Sequence, residues 1–97
     1  MLEHLVLLRL KPGVARDAGD DLLARLRGLP ATVPGIAALQ CGWNISPERA
    51  HGFDIALRVR LQDREALAAY RGHPDHQAVL AVIRERCGDI LAVDFEI

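Results

Sequence analysis

Apolar and polar positions alternate from the first residues of the chain. In LEHLVLLRL (2–10), His4, Val6, Leu8 and Leu10 fall on one side of an extended strand, and Glu3, Leu5, Leu7 and Arg9 on the other. Lys11-Pro12-Gly13 ends that run. The period then lengthens: Ala18, Leu22, Leu26 and Leu29 stand at i, i+4, i+8 and i+11, which predicts a helix over about 15–29. Asp17, Asp20 and Asp21 lie early in it and Arg25 and Arg27 late, as the helix dipole favours, and Asp21 and Arg25 are spaced for an ion pair. Pro30 and Val33-Pro34-Gly35 break the pattern, and IAALQCGW (36–43) reads as a second strand. After the loop NISPERAHG, FDIALRVRL (53–61) alternates again, with Phe53, Ile55, Leu57, Val59 and Leu61 opposed to Asp54, Ala56, Arg58 and Arg60. Asp63 is placed to cap a helix that carries Leu67 and Tyr70 and stops at Gly72. Pro74 suits the first position of a new helix, which makes His73 its N-cap, and that helix runs to about Arg86. GDILAVDFEI (88–97) closes the chain as a strand.

The order is β-α-β-β-α-β with the second helix in two pieces. It predicts a ferredoxin-like α+β protomer: a four-stranded antiparallel sheet in the order 4-1-3-2, spanning residues 1–97 as one domain. Right-handed crossovers put the helices on one face of that sheet. The other face then carries Leu5 and Leu7 from the first strand and Leu91, Val93 and Phe95 from the last. Each such side chain contributes roughly 1.5–3 kcal/mol when fully buried, so the expected partner is a second copy, packed sheet to sheet as a homodimer. Glu3, Asp54, Arg58 and Arg60 are the expected charged rim of that contact.

Composition narrows the partners further. Half of the 97 residues are hydrophobic (51%) and the net charge is −1, so no electrostatic case exists for nucleic acid or an anionic membrane. The basic residues are scattered, with Lys11 the single lysine, and no stretch has the length of a transmembrane helix. Glu3 and His4 interrupt the apolar start and its basic residues follow it, unlike a signal sequence, so the expected location is the cytoplasm. Cys41 and Cys87 are far apart and lack metal spacing, which favours two small buried thiols.

Candidate chemistry concentrates in AAYRGHPDHQAVL (68–80). Helical spacing aligns His76 with Val79, Leu80, Ile83 and Cys87, on the stripe that must face the sheet. Burial and a first-turn position both disfavour its protonation, which leaves a neutral imidazole suited to accept a proton. Tyr70, three residues after Leu67, turns the same way, and its phenol can donate to a carbonyl or a developing oxyanion. His4 shares the helix-facing side of the first strand, and an antiparallel fourth strand brings Asp94 beside it. Three readings remain open. The first is a pocket lined by Val6, Leu8, Leu22, Leu57, Val79 and Ile83, with His4, Tyr70, His76 and Asp94 as polar contacts. The second is proton-transfer chemistry, with His76 as base and Tyr70 as donor. The third is a hydrogen-bonded network that braces the corner. His51, His73 and His76 invite a metal reading, but no cysteine or carboxylate cluster accompanies them. Phosphate loops, nucleophile elbows and dinucleotide fingerprints are absent.

HLVLLRLKPGV, VPGI…GWNISPE, GFDIALRVRL, YRGHPDHQ and the closing VDFE together resemble the stress-responsive dimeric α/β-barrel (Dabb) family over essentially the whole chain. The resemblance implies a ferredoxin-like protomer whose sheet packs on its twin. One plant branch, the olivetolic acid cyclases, closes a linear polyketide by an intramolecular aldol reaction without metal or cofactor. Carried over by position, that branch's tyrosine and histidine fall on Tyr70 and His76, and its first-strand histidine on His4. A second strand-borne histidine corresponds to Ile55, and its pocket aromatics correspond to Leu22, Leu23 and Leu26. The acid/base pair is present while the aromatic lining is not, which implies a different ligand or none.

Overall fold

A computed structural model describes residues 1–97. Strand β1 (Leu2–Leu10) leads to helix α1 (Arg16–Arg27), then β2 (Ile36–Trp43) and β3 (Ile55–Leu61). Helices α2 (Arg64–Gly72) and α3 (Pro74–Arg86) follow, and β4 (Cys87–Glu96) ends the fold. The sheet has the order β2-β3-β1-β4, and every neighbouring pair is antiparallel. This is the ferredoxin-like arrangement that the alternation predicts. No helix is long and apolar enough to cross a membrane.

The boundaries shift where local chemistry competes with periodicity. The first helix stops at Arg27, and Leu29 belongs to a short 3₁₀ turn, Leu29–Ala31, because Pro30 has no N–H to extend an α-helix. The third strand begins at Ile55 rather than Phe53. Asp54 leaves the expected charged rim as well: its carboxylate accepts from the Leu10 N–H at 2.8 Å, which closes the end of β1. β4 starts directly after α3, at Cys87.

One side of the sheet meets the helices. Leu8, Val59 and Leu61 on the sheet, with Leu22 and Leu26 on α1, form the centre of a single core. α1 is seated over β2 at Trp43 and at Cys41, whose carbonyl accepts from Arg27 Nη2 at 3.0 Å. Gly19 leaves room for the Trp43 ring, whose Nε1 donates to Asp20 at 2.8 Å and over whose face the Arg16 guanidinium lies at 4.2 Å.

The opposite side of the sheet is open. Leu5, Leu7, Leu91, Val93 and Phe95 are between 36% and 59% exposed there. Glu3 shares that face but is 2% exposed. Arg58 grips it through two nitrogens, at 3.0 and 3.1 Å, and Arg60 Nε donates to it at 2.7 Å. The expected rim charges therefore bind each other within one chain, since Glu3 stands directly opposite Arg60 in the β1–β3 register.

Two predictions follow from this packing. A Cβ at Gly19 would lie 2.6 Å from Trp43 Cζ2. Gly19→Ala should therefore destabilise by about 1–3 kcal/mol despite a helix-propensity gain of about 1 kcal/mol. In a Trp43→Ala background the same change should stabilise, as read by urea unfolding at fixed protein concentration. The arginine hydrogen bonds, that of Arg58 foremost, hold the Glu3 carboxyl at about 2, below its ordinary 4.5. Its contribution is thus complete above about 4.5 and drains away as pH falls towards about 2. Glu3→Gln should flatten that acid limb of the stability curve, and an unchanged limb would show that Glu3 is not its source.

Candidate functional site

The site is built around the break between α2 and α3. Asp63 caps α2 by accepting from the Ala66 N–H at 2.8 Å. Proline disfavours helical geometry in the residue before it, and His73 is accordingly extended (φ −68°, ψ 135°). Its Nδ1 accepts from the Asp75 N–H at 3.1 Å, so His73 is the N-cap of α3, with Pro74 in the first turn. The corner folds α3 back, and the Tyr70 and His76 rings meet with centroids 4.3 Å apart at 45°. The His4 ring stands edge-on to Tyr70 at 5.7 Å.

Beneath these rings lies a cavity of about 350 Å³. Val6, Leu57, Val79 and Ile83 line it, and His4, Tyr70 and His76 reach it. Leu8 and Leu22 do not: both are fully buried. Leu8 lies two residues beyond Val6, and Leu26, one turn further along α1 than Leu22, takes the wall position. Asp94 is outside the lining, but its Oδ1 is 2.5 Å from His4 Nδ1, as the register His4↔Asp94 dictates. Its Oδ2 accepts from Arg71 Nη2 at 2.7 Å. Ile90 and Ala92 line the cavity too, and their parity with Asp94 is visible in the sequence. Leu80 completes the α3 wall. Arg71 and Gln77 also line it, yet as exposed polar residues on helices they carry no sequence signal of that role.

The two central groups are held in complementary states. The Tyr70 hydroxyl has no hydrogen-bond partner within the chain, and burial pushes the phenol up to about 12. It stays protonated and free to donate. Burial lowers the His76 pKa, the hydrogen bond to the Arg71 carbonyl opposes this, and the nearby charges of His4, Arg71 and His73 add to the lowering. That bond spans 3.3 Å from Nδ1 to the oxygen. Because a carbonyl can only accept, Nδ1 carries the proton and Nε2 keeps its lone pair in the neutral ring. The arrangement thus offers a donor and an acceptor side by side above an apolar cavity. No three His, Cys, Asp or Glu side chains converge as metal ligands would, so the His-Pro-Asp-His turn stands alone.

A small ferredoxin-like domain with its polar rings gathered at one helical corner defines the class. The model of the stress responsive A/B barrel domain matches residues 2–97, and the chain belongs to that family. An uncharacterized protein of Streptomyces coelicolor is 37% identical over 98 residues, covering 99% of both chains. Among solved structures, a dimeric ferredoxin-like protein of unknown function from Thermobifida fusca is 30% identical, with a TM-score of 0.88 over 99% of this chain and 90% of that one. The hydroxynitrile lyase of Passiflora edulis shares the fold, with a TM-score of 0.90 at 19% identity over 99% and 92% of the two chains.

Removing a hydroxyl that has no partner should cost little. Tyr70→Phe is expected to change the unfolding free energy by no more than about 0.5 kcal/mol, whereas Tyr70→Ala costs about 3–5 kcal/mol through the cavity it opens. A large loss in Tyr70→Phe would instead mean that the hydroxyl braces the corner. The His76 ring should titrate below 6.5 by NMR. Since the unfolded chain takes that proton first, stability should decline as pH falls below about 6.5, a slope that His76→Gln removes.

Proposed function

We propose that the protein is a homodimer that binds a small, mainly apolar ligand in the cavity between sheet and helices. The observation that carries this reading is the unpartnered Tyr70 hydroxyl opening onto about 350 Å³ of apolar-walled space beside a neutral His76. A hydroxyl that has open surface on the cavity and no partner in the chain is free to donate, and a ligand carbonyl would supply the acceptor. The open face of the sheet, with its five exposed apolar side chains, is where the second copy packs. The dimeric Thermobifida fusca neighbour supports that assembly. The same reading keeps the dimer in the cytoplasm, where Cys41 and Cys87 persist as free thiols.

The Tyr70–His76 contact favours one further reading, cofactor-independent proton transfer of the polyketide-cyclase type. His76 Nε2 takes a proton from the carbon beside a carbonyl, and Tyr70 donates to the enolate oxygen. In an aldol closure the enolate carbon then bonds to a second carbonyl carbon, whose π electrons move onto its oxygen. The His76 proton passes to that alkoxide, so the base is regenerated. The Passiflora edulis lyase supports the fold's capacity to host an enzyme. The assignment of roles rests on this chain's own rings.

The probe for both readings is 2-octanone. Binding should shift the methyl NMR signals of Val79 and Ile83, and Leu80→Trp, at a half-exposed wall position, should abolish the shifts. In D₂O, wild-type protein should accelerate exchange of the hydrogens beside the ketone, with loss in His76→Ala and Tyr70→Phe. Binding without exchange would leave the first reading and remove the second. Sedimentation at micromolar concentration should give a dimer, and Val93→Asp should weaken it. A wild-type monomer would remove the assembly.

A further inference from the structure

Arg71 reaches the site twice, by routes that share no atoms. Its guanidinium Nη2 lies 2.7 Å from Asp94 Oδ2, and the other oxygen of that carboxylate lies 2.5 Å from His4 Nδ1. Its main-chain carbonyl, near the C-terminus of α2, accepts from His76 Nδ1 at 3.3 Å and from the Gln77 side-chain amide at 2.5 Å. Neither imidazole Nε2 makes a hydrogen bond within the chain, and neither is a buried polar atom without a partner, so both have open surface. His4 and His76 both line the cavity, and Arg71 lines it between them in the chain of contacts.

A carboxylate, like a carbonyl, can only accept. The nitrogen facing each of these oxygens must therefore be the one that carries hydrogen. The Asp94 charge is already matched by Arg71 through its second oxygen, so what His4 receives is an oriented acceptor rather than an unshared counter-ion.

We propose that Arg71 is a positioning residue for both imidazoles, its guanidinium acting on His4 through Asp94 and its main-chain carbonyl acting on His76 directly, so that each ring is a neutral Nδ1–H tautomer with Nε2 open to the cavity. The site then presents two acceptor nitrogens around one phenolic donor. The complementary ligand is a carbonyl compound with acidic C–H or O–H hydrogens on both flanks of its carbonyl. That ligand class rests on the cavity-binding reading above, whereas the tautomers do not depend on it.

The two routes are separable by mutation, because a side-chain change leaves the carbonyl in place. With ¹⁵N-labelled histidine at about pH 8, above the ordinary imidazole range, long-range ¹H–¹⁵N spectra report which ring nitrogen is protonated. In wild type, His4 and His76 should each show a single Nδ1–H tautomer. Arg71→Met and Asp94→Ala should each turn His4 into a mixture and leave His76 unchanged, and Arg71→Lys should restore much of the His4 signal. Arg71 is exposed, so the Met variant should keep the wild-type amide dispersion. Three outcomes would overturn the proposal: a mixed, Nε2–H or doubly protonated ring in wild type; a His4 ring indifferent to Arg71→Met; or a His76 ring that changes together with His4. Failure of 2-octanone to bind, with the tautomer pattern intact, would remove the ligand reading and leave this one standing.

Discussion

The site depends on the interruption of one helix at Gly72-His73-Pro74. In a continuous helix, Tyr70 and His76 would lie about 9 Å apart along the axis and on different sides of it. Proline at the start of α3 forces the residue before it out of helical geometry, and the His73 ring then caps the new helix. The chain folds back and the two rings come within 4.3 Å of each other. The same break leaves the Arg71 carbonyl without a helical partner, and His76 and Gln77 fill that role. Ring contact and ring orientation thus have one cause.

Strand β1 carries the rest. It is paired on both sides, with β3 and with β4, from Leu2 to Leu8, so its two faces are fixed by neighbours over that stretch. Toward the helices it presents His4, whose partner Asp94 is set by register. Toward the open face it presents Leu5 and Leu7, and also Glu3, closed off by two arginines. The Glu3 carboxylate is already withdrawn from water by its two arginines, so the charge that packing against this face would still have to desolvate is that of the half-exposed Arg58 and Arg60. In the proposed dimer, the apolar residues supply the attraction and this pre-paired cluster sits within the contact.

Much of the site was legible before any coordinates. Alternation placed His4 and Asp94 on one face, and antiparallel neighbours made them a pair. The stripe Val79, Ile83 and Cys87 turned His76 inward. Proline grammar identified the corner and the His73 cap. The misreadings have a common origin. Leu8 and Leu22 belong to the correct faces, but periodicity names a face and not a position along it, and the empty space opens nearer Val6 and Leu26. Asp54 had the parity of a rim charge, yet a backbone N–H at the end of β1 claimed it. Arg71 and Gln77 look like ordinary solvent-facing residues on helices, since their roles involve partners distant in sequence or a carbonyl that every residue possesses.

By itself, the sequence determined the elements, the faces of each strand, the topology and the broken helix. These follow from local sterics and from a side-chain period that any neighbouring strand must respect. Only the tertiary structure decided where the cavity lies, which residues wall it, and that Arg71 joins His4 to His76. Those outcomes depend on distances between side chains far apart in sequence, and on which hydrogen-bonding groups remain free after the backbone has satisfied its own.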